Sequence, residues 1–185
     1  MNKKYKLTSE SIIRYGKTLY RIEALASFGS VSHGDKGGYI EKESNLSAYD
    51  DAWVYGNAMV YDDAWVYGDA RVYGDARVSG NARVSGNASV SGDARVSGDA
   101  EVYGDAWVYG DAEAKKSPIN ITNLSFGCNI TICDKTISLG CSIFTFDEFA
   151  EIDEDKIKEN WPSKIEYFKP YHTLICELID LNRIQ

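Results

Sequence analysis

From Ile40 to Ala114, small and branched apolar residues return at every sixth position. Alanine stands at 52, 58, 64, 70, 76, 82, 88, 94, 100, 106 and 112, and valine follows two residues later at each site from Val54 to Val108. Glycine occupies 56, 68, 74, 80, 86, 92, 98, 104 and 110, with Asp62 as the one substitute, and Asp or Asn follows from Asn57 to Asp111. The unit reads Ala-x-Val-x-Gly-Asp/Asn. Its register extends back through Leu46-Ser47-Ala48 and Ile40-Glu41-Lys42.

Alternation along Ala-x-Val-x is strand periodicity, so Ala and Val face one side and the two x residues the other. Glycine admits a positive φ at the following bend, where Asp or Asn bonds its local backbone. A strand this short leaves its backbone groups unsatisfied unless it stacks on identical strands. The pattern therefore predicts a mostly β chain with a stacked parallel β-helix over residues 40–116. Glycine at every sixth residue would break an α-helix. Two fixed apolar positions per unit supply a core that a disordered segment lacks.

Both ends of such a coil expose unpaired strand edges and need caps. Residues 1–39 predict a β cap, with strands over Ser11–Tyr15 and Thr18–Leu25, a turn at Gly16-Lys17 and another at His33-Gly34-Asp35. Residues 117–185 change composition after Lys115-Lys116-Ser117-Pro118 and predict a small α+β cap. Asn129–Cys133 and Thr136–Leu139 read as a hairpin around Asp134-Lys135. Asp147 is the expected N-cap of a helix reaching about Asn160. Ser163 is the expected cap of a last helix carrying Ile165, Phe168, Tyr171, Ile175, Leu178 and Ile179, kinked or started by Pro170.

The hexads resemble the hexapeptide-repeat, left-handed parallel β-helix family, over the whole of the repeat and without an insertion. The resemblance implies a triangular cross-section with three hexads per coil, left-handed winding and a homo-oligomer, with a trimer favoured. It implies about four coils, a column roughly 20 Å long at the usual strand spacing. The head Gly37-Gly38-Tyr39-Ile40-Glu41 and the tail around Leu139-Gly140-Cys141 resemble bacterial and phage- or prophage-encoded repeat proteins. That likeness implies a viral origin and a role in countering host defence.

Many members of the hexapeptide family are acyltransferases, and resemblance to them would imply a histidine on the coil and a loop excursion beside it. The two histidines here, His33 and His172, lie in the caps. Neither a catalytic residue, a cofactor nor a metal is expected. The corner residues Asp51, Asp69, Asn87 and Asp105 should form one column, whose turn role is explanation enough.

A net charge of −8 and a pI near 4.8 argue against general nucleic-acid binding. The N-terminus MNKKYKLTSE lacks an apolar h-region, and no apolar run approaches the roughly 18 residues that span a bilayer. A soluble cytoplasmic protein with reduced thiols at Cys128, Cys133, Cys141 and Cys176 is expected. Their spacing does not fit a zinc site, and His172 with Cys176 reads as packing rather than as a ligand pair.

The outward x positions are where the repeat varies. Before each Val stand Trp53, Met59, Trp65, Arg71, Arg77, Arg83, Ser89, Arg95, Glu101 and Trp107. After each Val stand Tyr55, Tyr61, Tyr67 and Tyr73, then Ser79, Ser85, Ser91 and Ser97, then Tyr103 and Tyr109, with Tyr49 preceding them after Ala48. Stacking one coil on the next aligns Trp53–Arg71–Ser89–Trp107 beside Tyr55–Tyr73–Ser91–Tyr109, and Trp65–Arg83–Glu101 beside Tyr67–Ser85–Tyr103. A waist of serines and arginines thus lies between aromatic walls. Such ladders either stabilise the coil or form a contact surface. The candidate ligand-binding residues are Arg71, Arg77, Arg83, Arg95, Trp53, Trp65, Trp107, Tyr67, Tyr73 and Tyr103. The reading is a non-enzymatic binding protein that captures a nucleotide-like ligand or a host protein at oligomer clefts. The alternatives are an oligomerisation module without ligand and a divergent hexapeptide acyltransferase.

Overall fold

A computed structural model of the chain describes residues 3–122, 129–160 and 165–184. The repeat forms a three-sided β-solenoid of about four turns, closed by a strand cap at one end and a small mixed cap at the other. Its strands are two residues long, from β4 (Trp53–Val54) to β14 (Glu113–Ala114). Trp53 pairs with Arg71, Met59 with Arg77 and Trp65 with Arg83, so each strand stacks in parallel on the one 18 residues later. Within each rung the residue before Val donates its amide to the Ala carbonyl of the next coil, and the residue after Val donates to the Val carbonyl. Arg71 N to Ala88 O and Tyr73 N to Val90 O, both 2.9 Å, are one such pair. The repeat alanines and valines are all buried and form one continuous core.

The corners obey the same constraint of close stacking. Gly86 has φ +66°, and a Cβ there would lie 2.9 Å from the backbone nitrogen of Gly104 in the next coil. Glycine is therefore required both for its dihedral and for the approach of the next turn.

The first coil departs from the expected register. Ile40 pairs with Val60 and Leu46 with Val66, each 20 residues apart rather than 18. Leu46, not Ala48, thus takes the valine position, and two extra residues lie between Leu46 and Trp53. Tyr49, expected to continue the tyrosine ladder, instead projects from this bulge at 78% exposure. The reason is that Leu46 and Ile40 fill more of the core than Ala48 and Lys42 would, so the larger apolar residues win the inward positions. The bulge is held by Lys4, whose Nζ donates to the carbonyls of Asp50 and Ala52, the latter at 2.8 Å.

The N-terminal cap is a hairpin longer than its sequence suggests. Strand β1 (Tyr5–Arg14) pairs antiparallel with β2 (Lys17–Ala24), which pairs with β3 (Lys36–Ile40), and β3 joins one face of the solenoid. The turn falls at Tyr15-Gly16, not Gly16-Lys17, with φ +52° and +74°. Two consecutive positive φ values match the right-handed twist of the flanking strands. The hairpin packs Leu19 against Tyr39 and Met59, with Ile12 and Tyr61 beside them, so it covers the outer side of that face.

At the other end the expected hairpin, β16 (Ile130–Ile132) with β17 (Thr136–Leu139), is present. Two further strands, β15 (Ile119–Ile121) and β18 (Ser142–Thr145), flank it in a four-stranded antiparallel sheet. This sheet seals the last coil. Asp134 N donates to Glu113 O at 3.1 Å, Trp107 N to Thr131 Oγ1 at 3.2 Å, and Cys133 enters the solenoid core. Burial pushes the Cys133 thiol up to about 12.

The helix expected from Asp147 to about Asn160 is instead two helices. Thr145, not Asp147, caps α1 (Phe146–Ala150), in a reciprocal capping box with Glu148. Asp153 then accepts from the amide of Lys156 at 2.9 Å and starts α2 (Glu154–Asn160). The break lets both Phe149 and Ile152 face the second core, with Ile175 and Ile179 of α3 (Ile165–Ile184). That last helix runs through Pro170. The expected cap Ser163 and the thiol of Cys128 lie outside the described residues. Among the described residues no helix is long and apolar enough to cross a membrane.

Candidate ligand-binding faces

Inward Ala and Val leave the x residues on the outside, and the 18-residue coil sorts them onto three faces. The first carries Trp53, Arg71, Ser89 and Trp107. The second carries Met59, Arg77, Arg95 and Glu113. The third carries Trp65, Arg83 and Glu101. The ten candidate residues are therefore divided among faces. Trp53, Arg71, Tyr73 and Trp107 share the first, Arg77 and Arg95 the second, and Trp65, Tyr67, Arg83 and Tyr103 the third.

The arginines are not equivalent. Arg95 pairs with Glu113 at 2.9 Å and Arg83 with Glu101 at 3.4 Å, each with the residue one coil away. Their charge is compensated within the ladder. Arg71 is exposed and, among the described residues, its guanidinium makes neither an ion pair nor a hydrogen bond. Arg77 is half-buried and, among the described residues, has no carboxylate partner; its Cζ lies 5.9 Å from the ring centre of Tyr15.

Trp53 does not belong to an exposed wall. It is only 1% exposed, held edge-on between Tyr5 at 6.2 Å and Phe28 at 5.4 Å. The N-terminal cap folds over it, which the repeat pattern gives no sign of, and its role is packing. On the third face Trp65 and Tyr67 stack on each other at 4.0 Å, and Tyr103 stands exposed beside Glu101.

The first face keeps an open recess of about 420 Å³, lined by Ser30, Tyr55, Arg71, Tyr73, Ser89 and Trp107. Trp107 is 49% and Tyr73 38% exposed, so both rings offer a surface. Arg71 and Trp107 stand two strand spacings apart, about 10 Å along the column, with the small Ser89 between them. On the Trp53 rung, next to that of Arg71, Tyr55 is fixed by a 3.1 Å hydrogen bond with Ser30. Tyr109 beside Trp107 donates to Gly140 O at 3.4 Å, and burial, with Cys141 nearby, pushes its hydroxyl up to about 12. Sequence reasoning missed Ser30 and left Tyr55 out of the site. Ser30 comes from the cap, and its distance in sequence carries no signal. Tyr55 was visible in the tyrosine ladder.

The histidines sit apart from this recess. His33 is exposed in its predicted turn, and its amide donates to Ser27 Oγ at 3.0 Å. His172 places Nε2 2.9 Å from Phe149 O and 3.8 Å from Cys176 Sγ, inside the C-terminal cap. Two of the corner columns alternate Asp with Asn. Asn87 Nδ2 donates to Asp105 at 3.1 Å and Asn81 Nδ2 to Asp99 at 2.8 Å, which separates like charges. At the first corner Asp50 stands in the glycine position and accepts from Gly68 N at 2.7 Å, 18 residues on.

A comparison with curated proteins found no match. Residues 52–68, 64–79, 70–84, 76–92 and 94–110 match the family model described as the YdcK Beta solenoid repeat, so the middle of the chain is similar to the repeats of that β-solenoid family.

Proposed function

We propose that this chain is a non-enzymatic binding protein, and that the recess between Arg71 and Trp107 takes an anionic ligand with a planar ring, of nucleotide chemistry. The observation that carries this reading is the exposed Arg71 guanidinium, uncompensated among the described residues, in one recess with the exposed rings of Tyr73 and Trp107, while Arg83 and Arg95 are neutralised by their own ladders. An Arg fork gains bidentate, charge-assisted bonds from a phosphate. A base stacked on Trp107 or Tyr73 adds roughly 1–3 kcal/mol. The separation of Arg71 from Trp107 suits a mononucleotide laid along the column over Ser89. Under the hexapeptide-repeat resemblance, the face lies at a subunit cleft of a homotrimer. Under the phage or prophage resemblance, the captured molecule is a nucleotide signal of host defence.

Calorimetric titration with AMP and ADP tests the site. Saturable binding is expected, weakened about tenfold or more by Arg71→Ala and by Trp107→Ala. Absence of binding at millimolar nucleotide, or affinity unchanged by both substitutions, overturns the reading.

A second reading, an oligomerisation module that binds no ligand, is favoured by a different observation. Tyr49 and the stacked Trp65–Tyr67 pair expose aromatic area on and beside the third face. Sedimentation equilibrium separates the two. Trp65→Ser would dissociate an oligomer built on that face and leave nucleotide affinity at the first face intact.

A further inference from the structure

The N-terminal hairpin creates a second cavity, of about 380 Å³, where its tip overhangs the second face. Ile12, Arg14, Tyr39, Asn57, Met59, Asp75, Arg77 and Asp93 line it. Two features set this place apart from the rest of the column. The first is the corner column Asn57–Asp75–Asp93–Asp111. The other two columns interpose a bonded asparagine between aspartates, at Asn81 and Asn87. Here Asp75 and Asp93 follow each other in adjacent coils and, among the described residues, neither carboxylate has an ion-pair or hydrogen-bond partner. The second is Arg77. Its Nε is buried and, among the described residues, has no hydrogen-bond partner; the guanidinium lies toward the Tyr15 ring, which stacks on Tyr61 at 5.4 Å. Arg14, at the end of β1, also makes no ion pair among the described residues, and its guanidinium reaches only the Ile13 carbonyl at 3.0 Å.

A buried N–H without an acceptor loses its hydrogen bond to water with nothing in return, and stacked like charges add to that cost. The two arginines and the two aspartates line one cavity, and among the described residues no ion pair joins them. A simple anion would meet the arginines but be repelled by the aspartates, and a simple cation the reverse. A molecule bearing both charges satisfies both sets of side chains. We infer that this cavity binds a small zwitterion of the free amino acid class, its carboxylate on Arg14 and Arg77 and its ammonium between Asp75 and Asp93. The site lies on a different face from Arg71 and does not depend on the nucleotide reading.

The test is calorimetric titration of the full chain with glycine, L-serine, L-glutamine and L-arginine, with acetate and methylammonium as single-charge controls. Saturable binding of at least one amino acid is expected, at least about tenfold tighter than either control. Arg77→Gln and Asp93→Asn should each weaken it by about tenfold or more. Asn is already accommodated at the equivalent corners Asn81 and Asn87, so Asp93→Asn retains the fold, with the thermal melt as the check. Arg71→Ala should leave the affinity unchanged. The inference is overturned by any of three results. None of the four amino acids binds at about 10 mM. Acetate or methylammonium binds as tightly. Folded Asp93→Asn retains full affinity.

Discussion

The amide of Gly80 donates to Oδ2 of Asp62 across 3.1 Å, one coil away. Asp62 is the only repeat corner without glycine between Gly56 and Gly110, yet it holds φ +60°. Its carboxylate offsets that strain by capping Gly80 and by pairing with Lys17 of the hairpin at 2.8 Å. Asp62→Ala should keep the strain and lose both contacts, lowering stability by about 1–3 kcal/mol in urea unfolding. Asp62→Gly should cost less, because it relieves the backbone. Equal losses for the two would show that the dihedral at this corner carries no strain.

The same carboxylates predict an acid-sensitive joint between cap and coil. The bond from Lys17 holds Asp62 below the usual carboxylate range, and burial only partly opposes it. At Asp50 burial raises the pKa, but the Gly68 amide, the Ser47 hydroxyl and Lys4 together outweigh it, and the group also ends below its ordinary value. A folded-state pKa below the unfolded one means stability that is present above the unfolded value and lost as pH falls through the folded value. Melting temperature should therefore be level above about pH 5 and fall below about pH 4. Asp62→Asn should flatten that fall.

Two glycines with the same dihedral should differ in tolerance. Gly86 and Gly104 have φ +66° and +65°, but a Cβ at Gly104 meets nothing within 4 Å, while at Gly86 it meets backbone at 2.9 Å. Gly104→Ala should cost about 1 kcal/mol for the dihedral alone. Gly86→Ala should cost clearly more, because the obstructing atoms are backbone of the next coil. Chemical unfolding of the two variants measures the difference.

The two ends of the first face should separate stability from recognition. Trp53→Ala should cost about 3–5 kcal/mol, as a buried aromatic does. Trp107→Ala should change stability by less than about 1 kcal/mol and act on ligand binding instead. In single-tryptophan variants, acrylamide should quench Trp107 and leave Trp53 protected. Ready quenching of Trp53 would mean that the cap does not cover it in solution.

The ladders show how far a repeat can be read. The alternation of Ala and Val placed every x residue from Trp53 to Glu113 on its face, and pairings such as Trp65 with Arg83 follow from the period alone. The same rule failed at Ala48, where the hexad continued on paper but Leu46 took the core position. It also treated Trp53 like Trp107, although one is buried and the other is not. The helix start at Thr145 was missed because Asp147 offers the same cap chemistry two residues later, and only the packing of Phe146 and Phe149 selects between them.

By itself the sequence determined the parallel stack, because a period-two pattern closed by glycine every six residues admits one way to satisfy backbone and bury apolar surface together. It also determined which residues face outward along the regular coils. Tertiary structure alone decided which of those outward residues remain available. The caps are remote in sequence, and they bury Trp53, draw Arg77 under Tyr15 and bring Ser30 to Tyr55. Exposure and charge compensation depend on what lies across a surface, and a local pattern holds no information about its neighbours in space.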